Sequence, residues 1–101
     1  MEMRDGRYKT LNENGSTHSV YGYKDGKLHG DYQSWYDNGR ICQVCTYKDG
    51  KRHGPYKLWS DNGNLWVECT YKDGELDGLH TEWLYNGQLL RETTYENGRR
   101  V

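Results

Sequence analysis

Tyr23-Lys24-Asp25-Gly26-Lys27-Leu28-His29-Gly30 recurs as Tyr47-Lys48-Asp49-Gly50-Lys51-Arg52-His53-Gly54, and again as Tyr71-Lys72-Asp73-Gly74-Glu75-Leu76-Asp77-Gly78. The period is 24 residues; Trp35, Trp59 and Trp83 keep it, as do twelve of the thirteen glycines, with Gly22 alone outside. Self-similarity at a fixed period marks a repeat architecture, in which each unit is one supersecondary motif that stacks on its neighbours to bury an apolar face. Tyr95 and Gly98 open a fifth round that stops.

Asn-Gly pairs stand at 14–15, 38–39, 62–63 and 86–87, between segments of alternating apolar residues. That setting predicts a two-residue type I′ turn, because both central residues need φ above zero. Each unit is therefore expected to be a β-hairpin, with boundaries at about 6–24, 30–48, 54–72 and 78–96 and a tail at 97–101. Between units the sequence predicts a longer Asp-Gly loop, such as Asp49 to His53. Alternation puts Ile41, Gln43, Cys45 and Tyr47 on one side, matched by Leu65, Val67, Cys69 and Tyr71. The Trp of each first strand is expected to join them, leaving Tyr32 and Tyr36 on the opposite face. The first unit has Leu11 in the Trp place and Thr17 and Ser19 in apolar places, which reads as a polar cap. The expected fold is all-β: an elongated, twisted antiparallel sheet of four stacked hairpins, about 40 Å long at ~4.8 Å per strand.

Composition agrees. A chain of 101 residues and 11.9 kDa makes one domain. Leu, Ile and Val number only 14 and Phe is missing, but ten Tyr and four Trp supply apolar area, and a net charge of −1 argues against disorder. No Ala and 13 Gly disfavour helices. No apolar run approaches the length of a membrane span, and Met1-Glu2-Met3-Arg4 lacks a leader pattern, so an intracellular, cytoplasmic chain is expected, with a virion as the other location. Thiols there stay reduced.

Gly-x-Tyr-x-x-Trp-x-x-Asn-Gly followed by Tyr-x-Asp-Gly-Lys-x-His-Gly resembles the MORN repeat in its variant form, as found in bacterial antitoxin-like proteins and in MORN-repeat proteins of giant DNA viruses. The resemblance implies an elongated antiparallel sheet that dimerises, scaffolds partners or touches lipid, and it implies no common chemistry. Two departures, His80 in the place of Tyr8, Tyr32 and Tyr56, and Asp77 in that of His29 and His53, predict a different surface on the last unit.

Cys42-x-x-Cys45 has a spacing used for metals and for redox pairs, but residues three apart on a strand face opposite ways, and Cys45 and Cys69 stand two strands apart, roughly 9–10 Å. Buried structural thiols are expected. His29 and His53 recur with the unit, which makes them turn or packing elements, and Asp25, Asp37, Asp49, Asp61 and Asp73 read as turn carboxylates bonding nearby amides. No nucleophile, base and orienter converge, so no catalytic, metal or cofactor site is expected. Charge is uneven: residues 1–57 hold ten Lys and Arg against seven acids, and residues 58–98 hold two against eight. Lys48, Lys51, Arg52 and Lys57 form the most basic stretch and are the candidate nucleic-acid contacts. The expected function is a non-enzymatic interaction or assembly module. Its partners would be a protein or a second copy, with DNA binding or genome packaging, an antitoxin role and lipid association as alternatives. A homodimer through the C-terminal region is expected, with Leu89, Tyr95, Arg99 and Arg100 at the contact and Glu82 or Glu92 as acids.

Overall fold

The structure, a computed structural model, describes residues 4–101; Met1 to Met3, read above as a start without a leader, lie outside the described residues. One antiparallel sheet contains β1 (Gly6–Leu11), β2 (Thr17–Lys24), β3 (Lys27–Leu28), β4 (Gly30–Trp35), β5 (Ile41–Lys48), β6 (Lys51–Trp59), β7 (Leu65–Lys72), β8 (Glu75–Leu76), β9 (Gly78–Trp83), β10 (Leu89–Glu96) and β11 (Arg99–Arg100). The strands follow chain order, with β3 beside β2 and β8 beside β7. The sheet measures 40 × 33 × 15 Å and is one layer thick, in line with the expected length.

The two turn types are exchanged relative to the sequence reading. Positive φ occurs at both residues of Asp25-Gly26, Asp49-Gly50, Asp73-Gly74 and Asn97-Gly98, and Lys24 pairs with Lys27, Lys48 with Lys51, Lys72 with Glu75 and Glu96 with Arg99. These are the two-residue type I′ turns. The longer loop expected at Asp49 to His53 is thus a tight turn flanked by paired strands. Of the expected tail, Asn97-Gly98 completes such a turn and β11 folds back on Tyr95 and Glu96.

At 14–15, 38–39, 62–63 and 86–87 only the Gly has positive φ. Gly39 N–H donates to the Tyr36 carbonyl at 2.9 Å and Tyr36 N–H to the Arg40 carbonyl at 2.8 Å, closing a three-residue loop of a type I turn with Gly in the left-handed position. Asn fits because its side chain caps the turn: Asn38 Oδ1 accepts from Arg40 N–H at 2.8 Å, and Asn14, Asn62 and Asn86 do the same for Ser16, Asn64 and Gln88. The carboxylates of Asp37 and Asp61, expected to make these bonds, do not; the neighbouring Asn amides do.

After each type I′ turn the chain leaves strand register. Tyr47 pairs with Arg52 but Cys45 with Tyr56, so β6 carries two extra residues at His53-Gly54, where Gly54 has φ +99°. The same step falls at Gly30 and Gly78, and it restores the phase that lets the next hairpin begin.

Cross-strand partners share a face, and the core face is read from Cys45, Tyr56 and Cys69, the buried apolar residues. Tyr32, Tyr47, Leu58, Val67, Tyr71 and Leu76 pack against them. Tyr32 lies directly opposite Cys45, which corrects its expected place, and alternation along β4 then sets Trp35 on the other face. Trp59, Trp66 and Trp83 follow, since they adjoin Leu58, Val67 and Glu82 of the core-face row. The expected one-sided core is therefore built of tyrosines, thiols and the aliphatics Leu58, Val67 and Leu76, without tryptophan.

Candidate functional site

The tyrosine face is the more closely packed side of the sheet. Tyr8, Tyr21 and Tyr32 stack in sequence at 6.0 and 6.1 Å, and Tyr32 meets Tyr47 edge-on at 5.9 Å. Tyr56 meets Tyr71 at 5.7 Å, and His80, in the Tyr place, meets Tyr95 at 5.9 Å. Arg52 lies over the Tyr56 and Tyr71 rings at 4.8 and 5.4 Å. One of the four candidate nucleic-acid contacts is thus spent on the core face. His80 changes the tyrosine face of the last unit: its Nδ1 is 3.5 Å from Glu82, which also faces Arg91 at 3.5 Å.

Cys45 and Cys69 are 2% and 4% exposed and flank Tyr56 from opposite strands, so they cannot meet. Burial pushes both thiols up, Cys69 to about 11, although Arg52 pulls the other way. Such thiols are poor nucleophiles and poor metal ligands, because the thiolate does both jobs. Cys42 faces Trp35 and Tyr36 instead.

At the type I′ rim the recurring histidines have a job. His29 Nδ1 accepts from Asp49 N–H at 3.4 Å, and His53 Nδ1 from Asp73 N–H at 3.3 Å. Asp5 and Asp77 occupy the same repeat position and accept from Asp25 and Asn97 N–H at 2.8 and 3.1 Å. The replacement by Asp77, expected to alter the surface, keeps the bond instead. Gly50, Gly74 and Gly98 N–H groups donate to the Leu28, Arg52 and Leu76 carbonyls, each at 2.8 Å, so these three turns are each tied twice to the unit before them. The opposite rim is tied as well: Tyr36 hydroxyl to the Trp59 carbonyl at 2.5 Å, Asn38 Nδ2 to the Asp61 carbonyl at 3.0 Å, and Asn62 Nδ2 to the Tyr85 carbonyl at 2.9 Å.

The outer face is the side of the sheet opposite the tyrosines. All seven lysines and all four tryptophans project from it, by alternation from the tyrosine face. Lys24, Lys27, Lys48, Lys51 and Lys72 flank the type I′ turns, and among the described residues none of the five makes an ion pair. The stems of Lys27 and Lys51 lie against Gly50 and Gly74 of the next turn. Lys57, midway up the face, pairs with Glu68 at 3.7 Å. Lys48 and Lys51 therefore share a rim, Lys57 stands apart from them, and Arg52 points the other way. Sequence reasoning missed Lys24, Lys27 and Lys72 because it grouped cations by nearness along the chain; the 24-residue period would have found them. Leu89, Arg99 and Arg100 are exposed, while Tyr95 is half-buried.

The raised thiols set a pH dependence. A group whose folded value lies above its unfolded one stabilises the fold below the unfolded value and loses that contribution as pH climbs to the folded value. The unfolding free energy of the reduced chain, read by urea titration, should therefore fall from about pH 8.5, the unfolded thiol value, to about 11. At the rim, His53→Leu leaves the Asp73 amide without its acceptor and should cost about 1 kcal/mol in the same titration, whereas His53→Asp, which copies Asp5, should be close to neutral.

The variant MORN repeat model matches residues 28–49, 52–73 and 76–97, three consecutive units that each run from the strand after one type I′ turn to the next such turn. No curated protein and no solved structure matches the chain. With most of its length in three matched units, the chain belongs to the MORN repeat variant family.

Proposed function

We propose that the chain is a non-enzymatic interaction and assembly module that docks a macromolecular partner on its outer face. The observation that carries this reading is the division of labour between the faces: Cys45, Cys69 and the tyrosines of the core face are consumed in packing, while every lysine and tryptophan is left on the other side. Asp5, His29, His53 and Asp77 are likewise used up in holding turns. Protein partners and membrane surfaces are the partner types that MORN repeats meet in general, and a toxin is one protein partner consistent with the resemblance to antitoxins.

Self-association fits the same reading. Leu84, Tyr85, Leu89 and Leu90 are exposed together at the Asn-Gly end of the last unit, and Leu79 is exposed nearer its other end, where Tyr95 pairs with Gly78 and Arg100. Clustered exposed apolar side chains mark an interaction surface. In sedimentation velocity the wild-type chain should run as a dimer and a Leu89→Glu, Leu90→Glu variant as a monomer; a wild-type monomer overturns the dimer.

A second reading, nucleic-acid binding, is favoured by the rim lysines. Lys24 faces Lys27 and Lys48 faces Lys51 directly across the strands, an arrangement that costs stability unless an anion offsets it. Binding of DNA would then weaken steeply with salt. In a low-salt mobility shift, changing Lys24, Lys27, Lys48 and Lys51 to Gln should abolish retention, whereas Lys57→Gln should change it little; equal loss from both overturns the rim assignment.

A further inference from the structure

On the outer face, next to the Asn-Gly rim, one repeat position carries His18, Cys42, Trp66 and Leu90 in successive units. Trp66 and Leu90 are bulky, whereas His18 and Cys42 leave a cleft of about 460 Å³ beside Trp35, also lined by Tyr36, Asp37 and Asp61. Tyr36 departs from the repeat too, since Asn12, Ser60 and Leu84 hold its place elsewhere. The walls are fixed by the Tyr36 and Asn38 bonds to the third turn. A second cleft of about 860 Å³ shares His18 and Asp37 and adds Leu11 and Glu13.

The joined trough has aromatic walls in the cleft beside Trp35 and three carboxylates along its length, and among the described residues no Lys or Arg lines it. Asp37 has no hydrogen-bond or ion-pair partner among the described residues, and Asp61 gives one oxygen to the Tyr85 hydroxyl at 2.7 Å and keeps the other. Five of the seven lysines lie at the opposite rim, away from the trough. Glu13, Asp37 and Asp61 recur at the repeat period, two strands apart, which is a pitch of about 9.6 Å. A polyproline II segment rises ~3.1 Å per residue and turns once in three residues, so every third side chain points the same way at a pitch of about 9.3 Å.

We propose that this trough binds an extended basic segment of a partner protein, with an arginine or lysine at every third position. The cationic groups meet Glu13, Asp37 and Asp61 in turn, and the middle one enters the cleft against Trp35 and Tyr36, where ring faces and carboxylates both favour a cation. Polyproline II ligands suit aromatic-lined grooves because they are already ordered before binding. The assignment rests on the outer face being the docking face, and it names the chemistry of what docks there.

The test uses a proline-rich peptide with three arginines at every third residue, beside one of the same composition with its arginines adjacent, titrated calorimetrically at low salt. The spaced peptide should bind at least about tenfold more tightly than the clustered one, and Asp37→Asn should weaken it by about tenfold, the worth of one charge-assisted contact. Cys42→Trp, which fills the cleft as Trp66 fills its own unit, should abolish binding while thermal unfolding shows the fold intact. Equal affinity for the two peptides, no binding of either, or affinity unchanged in Asp37→Asn overturns the proposal, whether or not Cys42→Trp folds. Capture of partner proteins from the native source by the wild type and by a Trp66→Glu variant separates the two readings. If the peptide fails while Trp66→Glu still loses captured proteins, only the trough assignment falls; if both fail, so does the docking face.

Discussion

The alternation of two turn chemistries is the constraint on which the structure depends. At one rim the chain reverses in two left-handed residues, at the other in a right-handed turn that ends in one left-handed glycine. The first joins neighbouring units and the second closes a hairpin. Exchanging them would change loop length by one residue, and a slip of one residue sends every side chain to the other face. Tyrosines would then stand where lysines belong.

A single-layer sheet has little core to lean on. Among the described apolar residues only Cys45, Tyr56 and Cys69 are buried, too few to hold a chain of this size by themselves. Stability is therefore spread along the array in cross-strand tyrosine pairs and in the bonds that tie each turn to the unit before it. This is the energetics of a linear array, in which neighbour contacts sum. It also explains why the side chains most suggestive of chemistry, His29 and His53, hold backbone amides.

The period and the all-β array of hairpins were legible because glycine, tryptophan and tyrosine repeat at fixed spacing. The turn types were not, because Asn-Gly serves both a type I′ turn and a type I turn with a left-handed glycine; Asn38 capping Arg40 N–H decides for the latter. The face of Tyr32 was misread for a related reason. Alternation fixes which residues of one strand share a side, but register with the next strand fixes which side that is, and Tyr32 opposite Cys45 is a fact of register. The equivalence of Asp5, His29, His53 and Asp77 is visible as spacing, yet only the shared acceptor role shows why two residue types alternate there. The cleft beside Trp35 is written in the smaller residues at 18 and 42, and its meaning emerges only beside Trp66.

The bonds between units keep constant spans along the chain. The side-chain acceptor and the turn amide are always 20 residues apart, as from His53 to Asp73, and the amide-to-carbonyl links of the other rim are 23 apart at both Asn38 and Asn62. A gene segment copied in tandem at the repeat length would supply every donor and acceptor the new unit needs, in register, with no second mutation to accommodate it. Arrays of this kind can therefore lengthen or shorten by recombination within a lineage while the local structure of each surviving unit stays the same.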